Sequence, residues 1–227
     1  MNSNTNNNNK ITNNCIIRPE TPADYRAVEE LCRDAFWNLS VPGCDEHYFA
    51  HVMRSHEDFL PELTFVLELD GEIIGSIMYT RARLVDDDGN EKPVISFGPL
   101  CVAPRFQRQG CGKLLIEHSF ARAVELGHDT VVIFGNPDNY VCRGFVSCKK
   151  HNVCMPGGVY PAALLVRELR EGALDGKRRY YIGSTASEPC ADTAAVEAFD
   201  ATFPPREKCW QYSQEEFYIH SHSLLRD

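Results

Sequence analysis

The chain has 227 residues, 43% of them hydrophobic, enough for one large domain or one domain with an extension. Its formal net charge of −9 argues against nucleic-acid and anionic-membrane partners, which need a basic footprint, and no apolar run approaches the ~18 residues of a membrane span. Ten cysteines without a single C-x-x-C pair argue against a zinc ribbon or a thioredoxin-like motif; the N-terminus lacks a charged-then-apolar leader, so reduced thiols in a cytoplasm are the expectation.

Residues 1–14 are rich in asparagine and nearly free of apolar side chains, a composition expected to stay disordered. Cys15 to Arg18 reads as a first strand, closed by Pro19. Thr21 suits a helix cap and Pro22 a first helical position, with Val28, Leu31, Cys32 and Ala35 as the apolar face. A second helix is expected after Cys44-Asp45-Glu46, running towards Arg54. Leu63 to Leu69 reads as a strand, Asp70-Gly71 as a hairpin turn and Glu72 to Leu84 as the returning strand. After a turn at Asp86 to Asn90, Lys92 to Val102 forms a third strand. A helix starting near Lys113 and ending at Gly127 carries Leu115, Ile116, Phe120, Ala123 and Val124 on one face. The unbroken apolar run Thr130 to Phe134 suits a strand buried on both faces beside the previous one. Pro161 to Leu169 fits either a strand or a helix, and a helix is expected at Thr193 to Phe199 before the tail Tyr218-Ile-His-Ser-His-Ser223.

The stretch joining the third strand to its helix is the most informative. It runs Leu100-Cys101-Val102, then Pro104, then Gln107-Arg108-Gln109-Gly110-Cys111-Gly112-Lys113. A strand, a glycine-bearing loop and a helix N-terminus make an anion site, because free backbone N–H groups converge there with the positive end of the helix dipole. Glycines let a ligand approach the backbone. The stretch is neither a Walker A loop, since Leu114 follows Lys113, nor a dinucleotide fingerprint, since no third glycine follows Gly112.

The pattern Gln107-x-x-Gly110-x-Gly112 after Leu100-x-Val102-x-Pro104 resembles the coenzyme A loop of the GNAT superfamily of N-acetyltransferases. The family's order of strand, two helices, three antiparallel strands, helix, strand, helix and strand matches residues 15–148. The segment Gly135-Asn-Pro-Asp-Asn-Tyr140 before Gly144-Phe145 looks like the YhbS-like branch of uncharacterised acetyltransferases. The resemblance implies an α/β (α+β) fold with a mixed central sheet flanked by helices. With the asparagine-rich tail at 1–14 set apart by its composition, it implies an acetyltransferase domain at 15–182 and a C-terminal extension at 183–227 packed on or beside it.

It also implies acetyl-CoA as acyl donor, no metal, and a primary amine of a small molecule or protein as acceptor, attacking directly in a ternary complex. It leaves room for a homodimer and for a longer acyl-CoA. The backbone at Leu100, Cys101 and Val102 would pair with the pantetheine arm where the strand splays from the next one, and Gly98-Pro99 fits a bulge there. Amides from Arg108 to Lys113, preceded by Gln107, would take the pyrophosphate, helped by the Arg108 and Lys113 side chains. Tyr140, four residues before Gly144-Phe145, has the spacing of the family's proton donor to the leaving thiolate, and Asn136 and Asn139 lie near enough to bond the cofactor. The base is open among Glu68, Asp45, Glu46 and a water chain. Cys111 suits a small packing residue better than a nucleophile. His47, His51, His56, His220 and His222 lack the His-Glu-x-x-His form and read as exposed helix and tail histidines. Two alternatives stay beside the enzyme reading: a non-catalytic acyl-CoA-binding regulatory module, and an unrelated nucleotide-binding protein.

Overall fold

The computed structural model describes residues 14–226, so all but the last residue of the 1–14 stretch lies outside the described residues. The strands are β1 (Ile16–Pro19), β2 (Phe65–Leu69), β3 (Glu72–Asp86), β4 (Glu91–Val102), β5 (Thr130–Phe134), β6 (Val146–Ser147), β7 (Val153–Cys154), β8 (Leu164–Glu168) and β9 (Arg179–Ile182). They form one mixed sheet in the order β1-β2-β3-β4-β5-β8-β6, with β9 on the far half of β3 and β7 beside β9. The helices are α1 (Tyr25–Phe36), α2 (Glu46–Met53), α3 (Cys111–Glu125), α4 (Pro137–Tyr140), α5 (Thr193–Asp200) and α6 (Tyr212–His222). The expected mixed sheet flanked by helices is present.

Local chemistry explains most boundaries. Asp70 and Gly71 both take positive φ (51° and 84°), the mirror-image turn whose twist suits the β2–β3 hairpin. The Asp24 carboxylate accepts the Thr21 N–H at 2.8 Å and the Arg18 guanidinium at 2.7 Å, fixing the entry to α1. β2 begins two residues later than its apolar run, because Pro61–Leu63 make a 3-10 turn. α3 begins at Cys111 rather than Lys113, because Gly110 (φ 92°) turns the chain into it. The ambiguous run at 161–169 is the strand β8, paired along its length with β5.

Two apolar layers cover the sheet. On one face α3 packs Leu115, Ile116, Phe120 and Ala123 on Ile77, Tyr79, Ile95, Phe97, Val131 and Ile133. On the other, α1 and α2 pack Val28, Cys32, Ala50 and Met53 on Val66, Met78 and Cys101. The alternation of Ile77, Met78 and Tyr79 between faces is the period of two that a strand requires.

Residues beyond Ile182 form an arm against α1 and α2. Arg33, 2% exposed, donates to Asp200 from Nε at 2.6 Å and to the Pro204 carbonyl at 2.9 Å. The Trp37 indole donates to the Glu207 carbonyl. Beyond α6, a helix absent from the sequence expectations, the chain returns to pair Ala162 with Ser223 and Leu225 with Tyr160. No helix among the described residues is long and apolar enough to cross a membrane.

Candidate active site

β4 and β5 run parallel but meet in register only at Ile95 and Val131. From Phe97 to Val102, β4 pairs with β3 alone, so its other edge opens into a wedge-shaped gap. Backbone groups on such an edge need a partner. The β3–β4 register slips between Ile77↔Leu100 and Tyr79↔Phe97, which puts the extra residue of the bulge at Gly98-Pro99. The bulge decides which way the next side chains point. In a regular strand Phe97 and Cys101 would share a face; here Phe97 joins the α3 layer and Cys101 the α1/α2 layer. Leu100 and Val102 stay with the α3 layer.

The wide end of the gap leads into the loop. Gln107 donates from its side chain to the Val102 carbonyl at 3.1 Å, and Gln109 to the Arg105 carbonyl at 2.7 Å. Both glutamine side chains thus brace the loop. Arg108 (φ 61°) and Gly110 (φ 92°) take left-handed conformations, which turn successive N–H groups towards one side. Among the described residues, no backbone carbonyl accepts the amides of 108–113; the first to find one is Leu114, on the Gly110 carbonyl. A Cβ on Gly112 would meet only Val102 Cγ2, at 3.9 Å, so packing within the protein does not call for glycine there. Lys113 lies within 3.6 Å of Glu117, and the exposed Arg108 guanidinium pairs with no described residue. Cys111 is buried, and burial pushes its thiol up, so it is a packed thiol at the start of α3.

Tyr140 closes the narrow end. Its ring lies 5.7 Å from Phe97 and 5.8 Å from Phe145, centroid to centroid, against the α3-side core. Its hydroxyl makes no hydrogen bond to a described residue, and burial pushes its pKa up to about 12. Tyr140 is half-buried, unlike the fully buried Tyr79, whose hydroxyl meets Ser119 Oγ at 2.7 Å. Asn136 caps α4 by accepting the Asp138 N–H at 3.0 Å; Asn139 is exposed at its surface.

The α1/α2 face of the gap is built differently. Cys101 Sγ lies 3.4 Å from Cys32 Sγ, and the fully buried Ser76, opposite Cys101 on β3, leaves its hydroxyl without a partner. Burial raises the Cys190 thiol, and behind it the charges of Asp45 and Glu46. Glu46 forms no ion pair among the described residues. Burial, and behind it the charge of Asp45, pushes its carboxyl up to about 7. Of the other candidates for a base, Asp45 is also raised by burial, while Glu68 is bound by Arg18 Nε at 2.9 Å. His47 departs from the expectation of an exposed helix histidine. It is fully buried, with Cys44 Sγ 3.4 Å from Nδ1 and Asp200 Oδ1 3.2 Å from Nε2, and desolvation lowers its pKa to about 4. The α5 arm makes this burial, placing Phe199 and Phe203 about its ring, and no local signal around His47 announces it. Among the described residues no group of three or more histidines, cysteines or acids is placed to hold a metal ion.

The family model of the Acetyltransferase (GNAT) family matches residues 28–148. The uncharacterized N-acetyltransferase YjhQ of Escherichia coli (strain K12) is 29% identical over 93 residues, which is 40% of this chain and 50% of YjhQ. The chain therefore spans about half the length of that curated relative. Among solved structures, the GNAT protein YhbS from Escherichia coli, in complex with CoA, superposes with a TM-score of 0.66 at 24% identity, covering 77% of this chain and 92% of that one. A GNAT family acetyltransferase from Brucella melitensis, in complex with acetyl-CoA, gives 0.60 at 21% identity, covering 76% and 97%. These two likenesses confirm the fold. The splayed strand, the loop and its helix all fall within the stretch that the family model matches, which is over half of the sequence, and the chain belongs to the acetyltransferase (GNAT) family.

Proposed function

We propose that the protein is an acetyl-CoA-dependent N-acetyltransferase acting on a primary amine by direct attack in a ternary complex. The observation that carries the reading is one continuous path: unpartnered amides at 108–113, the open edge of β4, and an unpartnered tyrosine hydroxyl where β4 and β5 meet. The residues fit an acyl-CoA. The loop offers backbone donors and an open glycine where a pyrophosphate would lie, and the edge from Gly98 to Val102 offers peptide groups to an amide-bearing arm. Acetyl-CoA would supply the activated acetyl group as a thioester.

The chain's own residues then divide the work. The β4 edge around Leu100 to Val102 orients the thioester, and its N–H groups polarise the carbonyl. Tyr140 holds a proton at Oη for the departing sulfur. Burial raises that hydroxyl above its usual value, and the same desolvation raises a thiol beside it, so the two remain matched. The α3 side of the gap belongs to the donor, which leaves the α1/α2 side for the amine. Glu46 stands on that side with a carboxyl tuned near neutral pH and no cation of its own, and we assign it the proton of the incoming ammonium. An unneutralised acid there favours a cationic acceptor.

The test is steady-state kinetics of Tyr140→Phe with acetyl-CoA and a panel of primary amines, beside a CoA-binding titration. Turnover should fall by about 10²–10⁴-fold while affinity changes little, since only a transition-state interaction is lost. Turnover within about threefold of wild type would reject the acid role. Unchanged turnover of every amine at the background rate, with tight CoA binding, would favour the regulatory module.

A further inference from the structure

Gly135 follows directly on β5 and precedes α4. Its φ lies outside the left-handed range, so its backbone conformation is open to any residue. Its N–H donates to the Ala163 carbonyl at 2.9 Å, which ties the backbone to the strand beside it. Yet a Cβ at this position would stand 2.6 Å from Tyr140 Cε2 and 2.8 Å from Cδ2. Contacts below about 3 Å are far inside the ordinary separation of non-bonded carbons. The third neighbour, Ile133 Cδ1, is at an unremarkable 3.5 Å. One side chain alone therefore demands glycine here: the tyrosine ring.

The half-buried ring is backed by the core on the side away from Gly135. Its other neighbours are Phe97 and Phe145, and Phe145 is fully buried in the α3-side core. The two atoms a methyl group would strike lie along the ring edge, so the ring would have to move as a body and carry its hydroxyl with it. We infer that Gly135 is a positioning residue, one that seats the Tyr140 ring flush on the backbone and so aims Oη at the point where β4 and β5 diverge. The inference rests on the reading of Tyr140 as the proton donor. A misplacement of about 1 Å in a catalytic group is enough to cost about 10²-fold in rate.

The experiment is a double-mutant cycle of wild type, Gly135→Ala, Tyr140→Phe and the double variant. Acetyl-CoA turnover is followed by thiol release, with lysine, spermidine, tyramine and an alanine-initiated peptide as acceptors, and with water as acceptor if no amine is used. Gly135→Ala should lower kcat by about 10–10²-fold, with KM for acetyl-CoA within about threefold of wild type. In the Tyr140→Phe background, where no hydroxyl remains to misplace, the same change should alter kcat by less than about threefold. Equal losses in both backgrounds, or a Gly135→Ala enzyme as fast as wild type, would overturn the inference while leaving a slow Tyr140→Phe enzyme to support the acid role. A wild-type rate in Tyr140→Phe would instead reject the acid role and the inference with it. If Gly135→Ala alone does not fold, Gly135→Ala/Phe97→Leu opens space on the far side of the ring. It should fold and turn over more slowly than Phe97→Leu, and equal rates for those two would also overturn the proposal.

Discussion

The two sides of the β4–β5 gap are made of different material. The α3 side is a backbone site: amides of residues 108–113, the open edge of β4, and glycines that keep side chains out of the way. The α1/α2 side offers side chains instead, with Glu46, Asp45, Cys32, Cys101 and Ser76 gathered from four separate stretches of chain. A backbone site depends on local conformation and leaves a contiguous mark in the sequence. A side-chain site depends on long-range packing and leaves none.

The contrast is sharpest at Gly112. Gly112→Glu should remove acetyl-CoA binding altogether, because bulk and negative charge both oppose a pyrophosphate; calorimetry should show no binding up to about 1 mM ligand. Gly112→Ala should weaken binding too, yet leave the unliganded protein as stable as before or slightly more so, since alanine is favoured over glycine in a helix by roughly 0.5–1 kcal/mol and the space is free. A Gly112→Ala protein that binds normally would mean that the loop does not cradle the ligand.

On the opposite side, Glu46→Gln should slow turnover by about 10²-fold or more, with acetyl-CoA affinity unchanged. The wild-type rate should rise with pH through about 7 as Glu46 loses its proton, and the variant should lack that limb. Stability should run the other way. Glu46 has a folded pKa raised above its ordinary 4.5, so its contribution is fully present below that value and is lost as pH rises through about 7. Thermal melts should therefore find Glu46→Gln more stable than wild type at about pH 9, with the difference vanishing towards about pH 4. A wild-type pH profile in the variant would remove Glu46 from the chemistry.

The smallest effect on the donor site should come from the arm. Asp200→Ala strips the partner from a nearly fully buried guanidinium, whose remaining bond is to the Pro204 carbonyl. Breaking a buried pair costs up to about 3–5 kcal/mol, and the half-buried position of Asp200 argues for the lower part of that range. The melting temperature should drop by several degrees while acetyl-CoA affinity stays within about twofold. A large loss of affinity would show that the two sides are not independent.

Legibility follows the same division. Gln107-x-x-Gly110-x-Gly112 fixed the loop because the left-handed turn at Gly110 and the open approach at Gly112 are properties of single residues. Asp70-Gly71 and the Gly127 stop of α3 were readable for the same reason. The α6 helix was not readable. Trp210, Tyr212, Phe217, Tyr218 and Ile219 around and along it are all exposed, so no apolar stripe marks its period. His47 looked like any helix histidine, because the residues that bury it arrive about 150 positions later in the chain.

By itself, then, the sequence determined the order of elements from β1 to β5 and the glycine-bearing loop, both set by local conformational chemistry, while the candidate tyrosine came from the family resemblance. Only the tertiary structure decided that a one-residue bulge turns Cys101 onto the face of Cys32, that the edge of the Tyr140 ring lies against Gly135, and that Glu46 is desolvated without a cation. Those outcomes depend on what stands opposite a residue in space. Burial and pairing are properties of neighbours, and the spacing of residues along a chain does not specify them.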